Sequence, residues 1–180
     1  MTGPDTLRSL AIEQAFLERG TSRGVLKLEA LKIHFTPGNP PRLTDLSVAA
    51  TYRSKPLVSI NSELLFGELA ILRCLQRDGW DGVWVDTFHS RGLGKIFWSD
   101  MPPAGRAELP PHAEDLYDRI VAENGGKSSG FFDVFAWKDG DYAFVEYKGE
   151  GDSANQNELK WIEAALAAGI EPEQLFFVTY

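Results

Sequence analysis

The stretch Phe131–Lys148, FFDVFAWKDGDYAFVEYK, constrains this chain more than any other. Asp139–Gly140 is a dipeptide favoured in type I′ hairpin turns, because both central residues of that turn need positive φ. Aromatic and β-branched residues flank it with the alternation of paired strands. The turn fixes a register in which Trp137 faces Tyr142 and Phe135 faces Phe144. Further along the same face Asp133 comes opposite Glu146, and Lys148 lies diagonal to Asp133. Val134, Ala136, Ala143, Val145 and Tyr147 take the other face.

Directly opposed Cβ atoms in a sheet lie about 4.5–5.5 Å apart, and like charges at that spacing are destabilising. Protonation of one carboxylate, screening by Lys148, or a divalent cation held between the acids would each relieve the repulsion. A hard ion such as Mg²⁺ takes oxygen ligands and commonly one or two protein carboxylates. The bland alternative is a solvated sheet edge with a salt bridge to Lys148.

A third carboxylate stands in an apolar stripe. NSELLFGELAILRCLQRDG reads as a helix capped at Asn61 or Ser62 and stopped at Gly79. Leu64, Leu65, Ile71, Leu72 and Leu75 recur at helical spacing, and Glu68 interrupts them. Charged residues are rarely buried without a partner, so Glu68 either reaches water at the stripe's margin or points at the paired acids.

The rest of the chain supplies a frame. Residues 5–18 suggest a helix, while GVLKLEALKIHF fits helical and strand periods equally poorly. GVWVDTF reads as a strand with Asp86 on its solvated side. HAEDLYDRIVAEN and residues 154–168 suggest helices, and QLFFVTY a last strand. From residue 61 the order is α-β-(insert)-β-β-α-β.

With 180 residues, 43% of them hydrophobic, the chain can bury a substantial core, and no apolar run is long enough to span a bilayer. The first residues lack the basic start and apolar centre of a signal peptide. Cys74 is the single cysteine, which excludes an internal disulfide and fits a reducing compartment. These features lead to the expectation of a cytoplasmic protein without a membrane partner. A net charge of −8 argues against a protein that coats nucleic acid broadly.

SSGFFDVFAWKDGDYAFVEYKGEGDS resembles the PD-(D/E)XK nuclease superfamily, and within it the VRR-NUC group. It is similar to that group's Gly-x-Pro-Asp strand, its Glu-x-Lys strand and the Lys-Gly-x-Gly-Asp run that follows. The resemblance implies an α/β fold with a restriction-endonuclease-like core, a mixed central sheet flanked by helices in the order α-β-β-β-α-β. It covers residues 61–180, with an insertion and loop at 89–130, and leaves residues 1–60 as an N-terminal extension. It implies that Asp133, Glu146 and the backbone carbonyl of Tyr147 bind Mg²⁺ or Mn²⁺. Lys148 would be the catalytic lysine and Glu68 the acid of the first core helix, available as a further ligand. Phe132 replaces the proline before the aspartate. Where the group has a glutamine three residues before a tryptophan, Glu158 precedes Trp161 here. Gln156 cannot take that role, since Ser153-Ala-Asn-Gln156 reads as a capping box.

The expectation is therefore a metal-dependent nuclease acting on DNA, with structured or branched DNA as a substrate class. Lys127, Lys160 and Arg119 are the candidate phosphate contacts. So small a cationic set points to help from a homodimer or a delivery partner. Two alternatives stand beside it: a non-catalytic interaction module that keeps the fold, and a phosphodiesterase of small molecules.

Overall fold

A computed structural model describes residues 5–21, 24–44, 50–86, 97–101, 106–149 and 155–179. Its elements run α1 (Asp5–Leu10), β1 (Ala11–Thr21), β2 (Gly24–Ile33), β3 (Thr36–Pro37), α2 (Ala50–Arg53), β4 (Leu57–Ile60), β5 (Glu63–Phe66) and α3 (Gly67–Arg77). There follow β6 (Asp81–Val85), β7 (Phe97–Trp98), β8 (Arg106–Ala107), α4 (Pro111–Glu123), β9 (Val134–Lys138), β10 (Asp141–Lys148), α5 (Gln156–Ala167) and β11 (Leu175–Thr179).

The fold is α/β. Eight strands form one sheet in the order β1-β2-β11-β10-β9-β6-β7-β8, and β3-β4-β5 form a small second sheet. The large sheet is mixed: β11 runs parallel to both β10 and β2, and the other pairs are antiparallel. Alternation along β9 and β10 feeds two cores. Val134, Ala136, Ala143 and Val145 pack with α3 residues Leu69, Ile71, Leu72 and Leu75. Phe135 and Phe144 pack with Leu116 and Ile120 of α4 and Trp161 and Ile162 of α5. Burial on both faces explains why these strands are so apolar.

The hairpin has the register expected from its turn. Asp139 and Gly140 carry φ of 51° and 89°, and Trp137–Tyr142 and Phe135–Phe144 are directly paired. The two phenylalanine rings stack at 4.6 Å with an interplanar angle of 3°.

Three local expectations are corrected. The helix expected over residues 5–18 stops at Leu10, and from Ala11 the chain is a strand paired with β2. Long-range pairing with GVLKLEALKI overrides local helix preference there, and resolves that ambiguous stretch as strand. Asn61 and Ser62 do not cap a helix. They take φ of 46° and 72° and form the tight turn between β4 and β5, so α3 begins at Gly67. Asp86 is buried, not solvated, because the Tyr52 hydroxyl donates to it.

Residues ahead of position 61 contribute directly to the large sheet. β2 lies beside β11, and Leu7 of α1 packs into the same core as α3.

Candidate active site

The site forms where the β9–β10 ladder ends. Val134–Val145 is the last main-chain pair, and Asp133 stands just before β9. Beyond that pair, side chains take over the ladder's hydrogen bonds. The Asp133 amide donates to Glu146 Oε2 at 3.2 Å, and the Tyr147 amide donates to Asp133 Oδ2 at 2.9 Å. The Val85 amide donates to the Asp133 carbonyl at 2.8 Å and so ties the aspartate to β6. Asp133 and Glu146 thus meet at a divergence of strands, as the register requires. They are not simply side by side on one flat face.

Lys148 closes the group. Its ammonium lies 2.9 Å from Glu146 Oε1 and 2.7 Å from Glu158 Oε1. Glu158 and Glu146 are both buried. Glu158 reaches the site from the first turn of α5. There the Asn155 side chain accepts from the Asn157 and Glu158 amides, and Glu158 Oε2 accepts from the Asn155 amide. The capping box is therefore Asn155–Glu158, not Ser153–Gln156. Gln156 is an exposed first-turn residue, and Ser153 lies outside the described residues.

Two close approaches set these positions. Gly130, at φ +86°, crosses the start of α5 so tightly that a Cβ would lie 2.1 Å from the Asn157 carbonyl oxygen. Phe132 is fully buried with its ring 4.9 Å from Trp161. On the opposite layer, a Cβ on Gly67 would lie 2.1 Å from Cε1 of Tyr147. Only glycine lets the first turn of α3 come this near β10.

That approach brings Glu68 into the field of Asp133. Burial chiefly, then the Glu68 charge, pushes the Asp133 carboxyl up to about 7, against the pull of the Tyr147 amide, Lys55 and Lys148. Burial and the Asp133 charge likewise raise the Glu146 pKa, against the pull of Lys148. Burial disfavours the Lys148 ammonium. The hydrogen bond to Glu158 and the charge of Glu146 outweigh it, and the pKa of Lys148 rises.

Spacing did not reveal Lys55. It forms an ion pair with Glu68, and its ammonium sits 5.1 Å from the Phe66 ring centre and 5.7 Å from that of Trp84. It comes from the short link between α2 and β4, where no periodicity marks a site. Tyr52 and Asp86 form a neighbouring buried pair that was equally hidden.

The expected phosphate contacts divide. Lys127 and Lys160 line one cleft of about 430 Å³ between the end of α4 and α5, with Asn124 and Asn157. Arg119 lines a different groove, with His112 and Tyr142. Among the described residues, no group of three or more His, Cys, Asp or Glu side chains is gathered as a ready metal cage. The donors that Asp133 and Glu146 offer are nevertheless hard oxygens. Their raised pKa values reflect burial together with repulsion by a neighbouring carboxylate, Glu68 for Asp133 and Asp133 for Glu146, which a divalent ion would offset, so these residues fit such an ion.

No family model, curated protein or solved structure matches this chain.

Proposed function

We propose that this chain is a metal-dependent nuclease of the PD-(D/E)XK kind, VRR-NUC-like, with a restriction-endonuclease-like core made of α3, β6, β9, β10, α5 and β11. The observation that carries the reading is the convergence of Asp133, Glu146 and Lys148 at the open end of the β9–β10 ladder. Asp133 and Glu146, with the Tyr147 carbonyl, would hold Mg²⁺ or Mn²⁺. Such an ion, when bound, supplies Lewis acidity toward a phosphoryl oxygen.

The chain's own groups do the positioning. An ammonium has three donors, and Lys148 gives one each to Glu146 and Glu158. The third is available to orient a water or to meet a non-bridging phosphate oxygen. Glu158, fixed by the helix cap, holds Lys148 in place. Glu68, clamped by Lys55, adds negative charge beside Asp133 and so favours a cation there. Hydrolysis adds water to phosphorus, breaks one P–O ester bond and delivers a proton to the departing oxygen. Lys127 and Lys160 line the cleft between α4 and α5 together with Glu123 and Glu163, and are the candidate contacts to a DNA backbone.

A second reading rests on a specific observation. Glu158 stands where the resembled group has a glutamine, and it occupies part of the Lys148 ammonium at 2.7 Å. This favours a non-catalytic module that keeps the fold. Purified protein is incubated with Mn²⁺ or Mg²⁺ and supercoiled, single-stranded and branched DNA. The nuclease reading expects cleavage that disappears in Asp133→Asn and Glu146→Gln. Intact DNA together with no rise in Tm on adding the ion favours the module. Turnover of bis(p-nitrophenyl) phosphate alone identifies a small-molecule phosphodiesterase.

A further inference from the structure

β1 is the outermost strand of the large sheet, 11 residues long, and among the described residues its outer edge pairs with nothing. β2 meets β11 only over Glu29–Lys32, so the distal part of the β1–β2 hairpin runs past β11 as a two-stranded arm. Leu17, Leu26 and Leu28 hold the inner face of this arm on the core shared with α4 and α5, so what stays open is the outer edge of β1. Along the hairpin Ile12, Phe16 and Val25 are between 64% and 71% exposed. A long free edge with apolar side chains is a template for another strand.

The charges on β1 decide which strand. Glu18 already has a partner across the hairpin, Lys27 at 3.5 Å. Glu13 and Arg19 lie three residues either side of Phe16. Lay β1 antiparallel against its own copy with Phe16 opposite Phe16, and Glu13 of each chain comes opposite Arg19 of the other. Gln14 then faces Glu18, and Ile12 covers Gly20. Moving the centre to Ala15 or Leu17 places Arg19 opposite Ala11 or Ala15 and loses both ion pairs. Opposite charges across a strand pair stabilise it, and like charges destabilise it.

We propose that a second copy of this chain docks along β1, joining the two large sheets across a two-fold axis at Phe16. The contact is self-complementary, as a symmetric dimer requires. None of its residues belongs to the Asp133–Glu146 site, so the proposal stands apart from the catalytic reading.

In its own dimer, Arg19→Glu sets a carboxylate against Glu13 at both ends of the strand pair. Glu13→Arg likewise sets a second guanidinium against Arg19 at both ends. In a mixture of the two variants paired in the proposed register, the Arg19→Glu chain offers two acids and the Glu13→Arg chain two arginines, so both ends regain an ion pair. Sedimentation equilibrium of the full chain at low salt should give a dimer for the wild type. Each variant alone should dissociate at least about tenfold more readily, with an unchanged circular-dichroism melt, and the mixture should return to wild-type affinity. A monomeric wild type at about 100 µM, well above the Kd of a specific dimer, overturns the proposal. So do variants that stay dimeric, or a mixture that stays monomeric.

Discussion

Asp133 and Glu146 hold each other crosswise: Glu146 Oε2 accepts from the Asp133 amide at 3.2 Å, while Asp133 Oδ2 accepts from the amide of Tyr147, the next residue after Glu146, at 2.9 Å. Two main-chain donors are thereby satisfied, but two carboxylates are locked together. Burial raises the pKa of both, helped by the Glu68 charge at Asp133 and by the Asp133 charge at Glu146, so the ionised pair is held at a cost in stability.

Removing one of those charges should stabilise the ion-free protein. Asn at position 133 keeps an oxygen acceptor for the Tyr147 amide and ends the repulsion. Partial solvent contact limits the gain to about 1 kcal/mol, or a Tm rise of roughly 2–4 °C in EDTA. Mg²⁺ or Mn²⁺ should raise the wild-type Tm and leave that of Asp133→Asn unmoved. A wild-type melt indifferent to both ions would contradict the assignment of these residues as ligands.

The pH dependence has a definite sign. An aspartate titrates near 3.9 in an unfolded chain, and Asp133 titrates at about 7 when folded. Between those values the folded chain binds more protons than the unfolded one, so this group's contribution to stability falls as pH rises. It is fully present below about 4 and gone above about 7. Urea titrations in EDTA at pH 5 and pH 8 should show a smaller drop for Asp133→Asn than for the wild type. Saturating Mg²⁺ should shrink the wild-type drop.

Lys148 is structural as well as chemical. Replacement by Met leaves Glu146 and Glu158 without their shared cation in a buried place. Stranding a buried charge costs roughly 3–5 kcal/mol. The Tm should therefore fall by about 10 °C. Combining Lys148→Met with Glu158→Gln should recover much of that loss, since glutamine also serves at the third position of a capping box. Calorimetry of the single and double variants checks this.

Gly67→Ala tests how α3 delivers Glu68. Its methyl would overlap the Tyr147 ring, and overpacking of this kind costs about 1–3 kcal/mol. Tyr147→Leu in the same chain should relieve part of it. Equal melts for the wild type and Gly67→Ala would mean that α3 and β10 are not in such close contact.

The hairpin was legible because its information is local. A dipeptide that accepts positive φ at Asp139 and Gly140 fixes the turn, and the two-residue period then dictates every partner up to Val134–Val145. The strand-rich N-terminal half was not. Residues 11–18 have the local preference of a helix, and their strand conformation depends on β2, which is itself held by β11 at the far end of the chain. No window of sequence contains that pairing.

The candidate site divides in the same way. Glu146 and Lys148 lie on β10 and Asp133 just ahead of its neighbour β9, so alternation extended by one residue associates them, and Glu68 betrays itself as a charge in an apolar stripe. What the tertiary structure decided is the partner of each charge: Glu158 on Lys148 and Lys55 on Glu68. Periodicity places a side chain on a face of its own element. Only packing of one element on another determines which opposite charge lies within reach, and hence whether a buried carboxylate stays ionised.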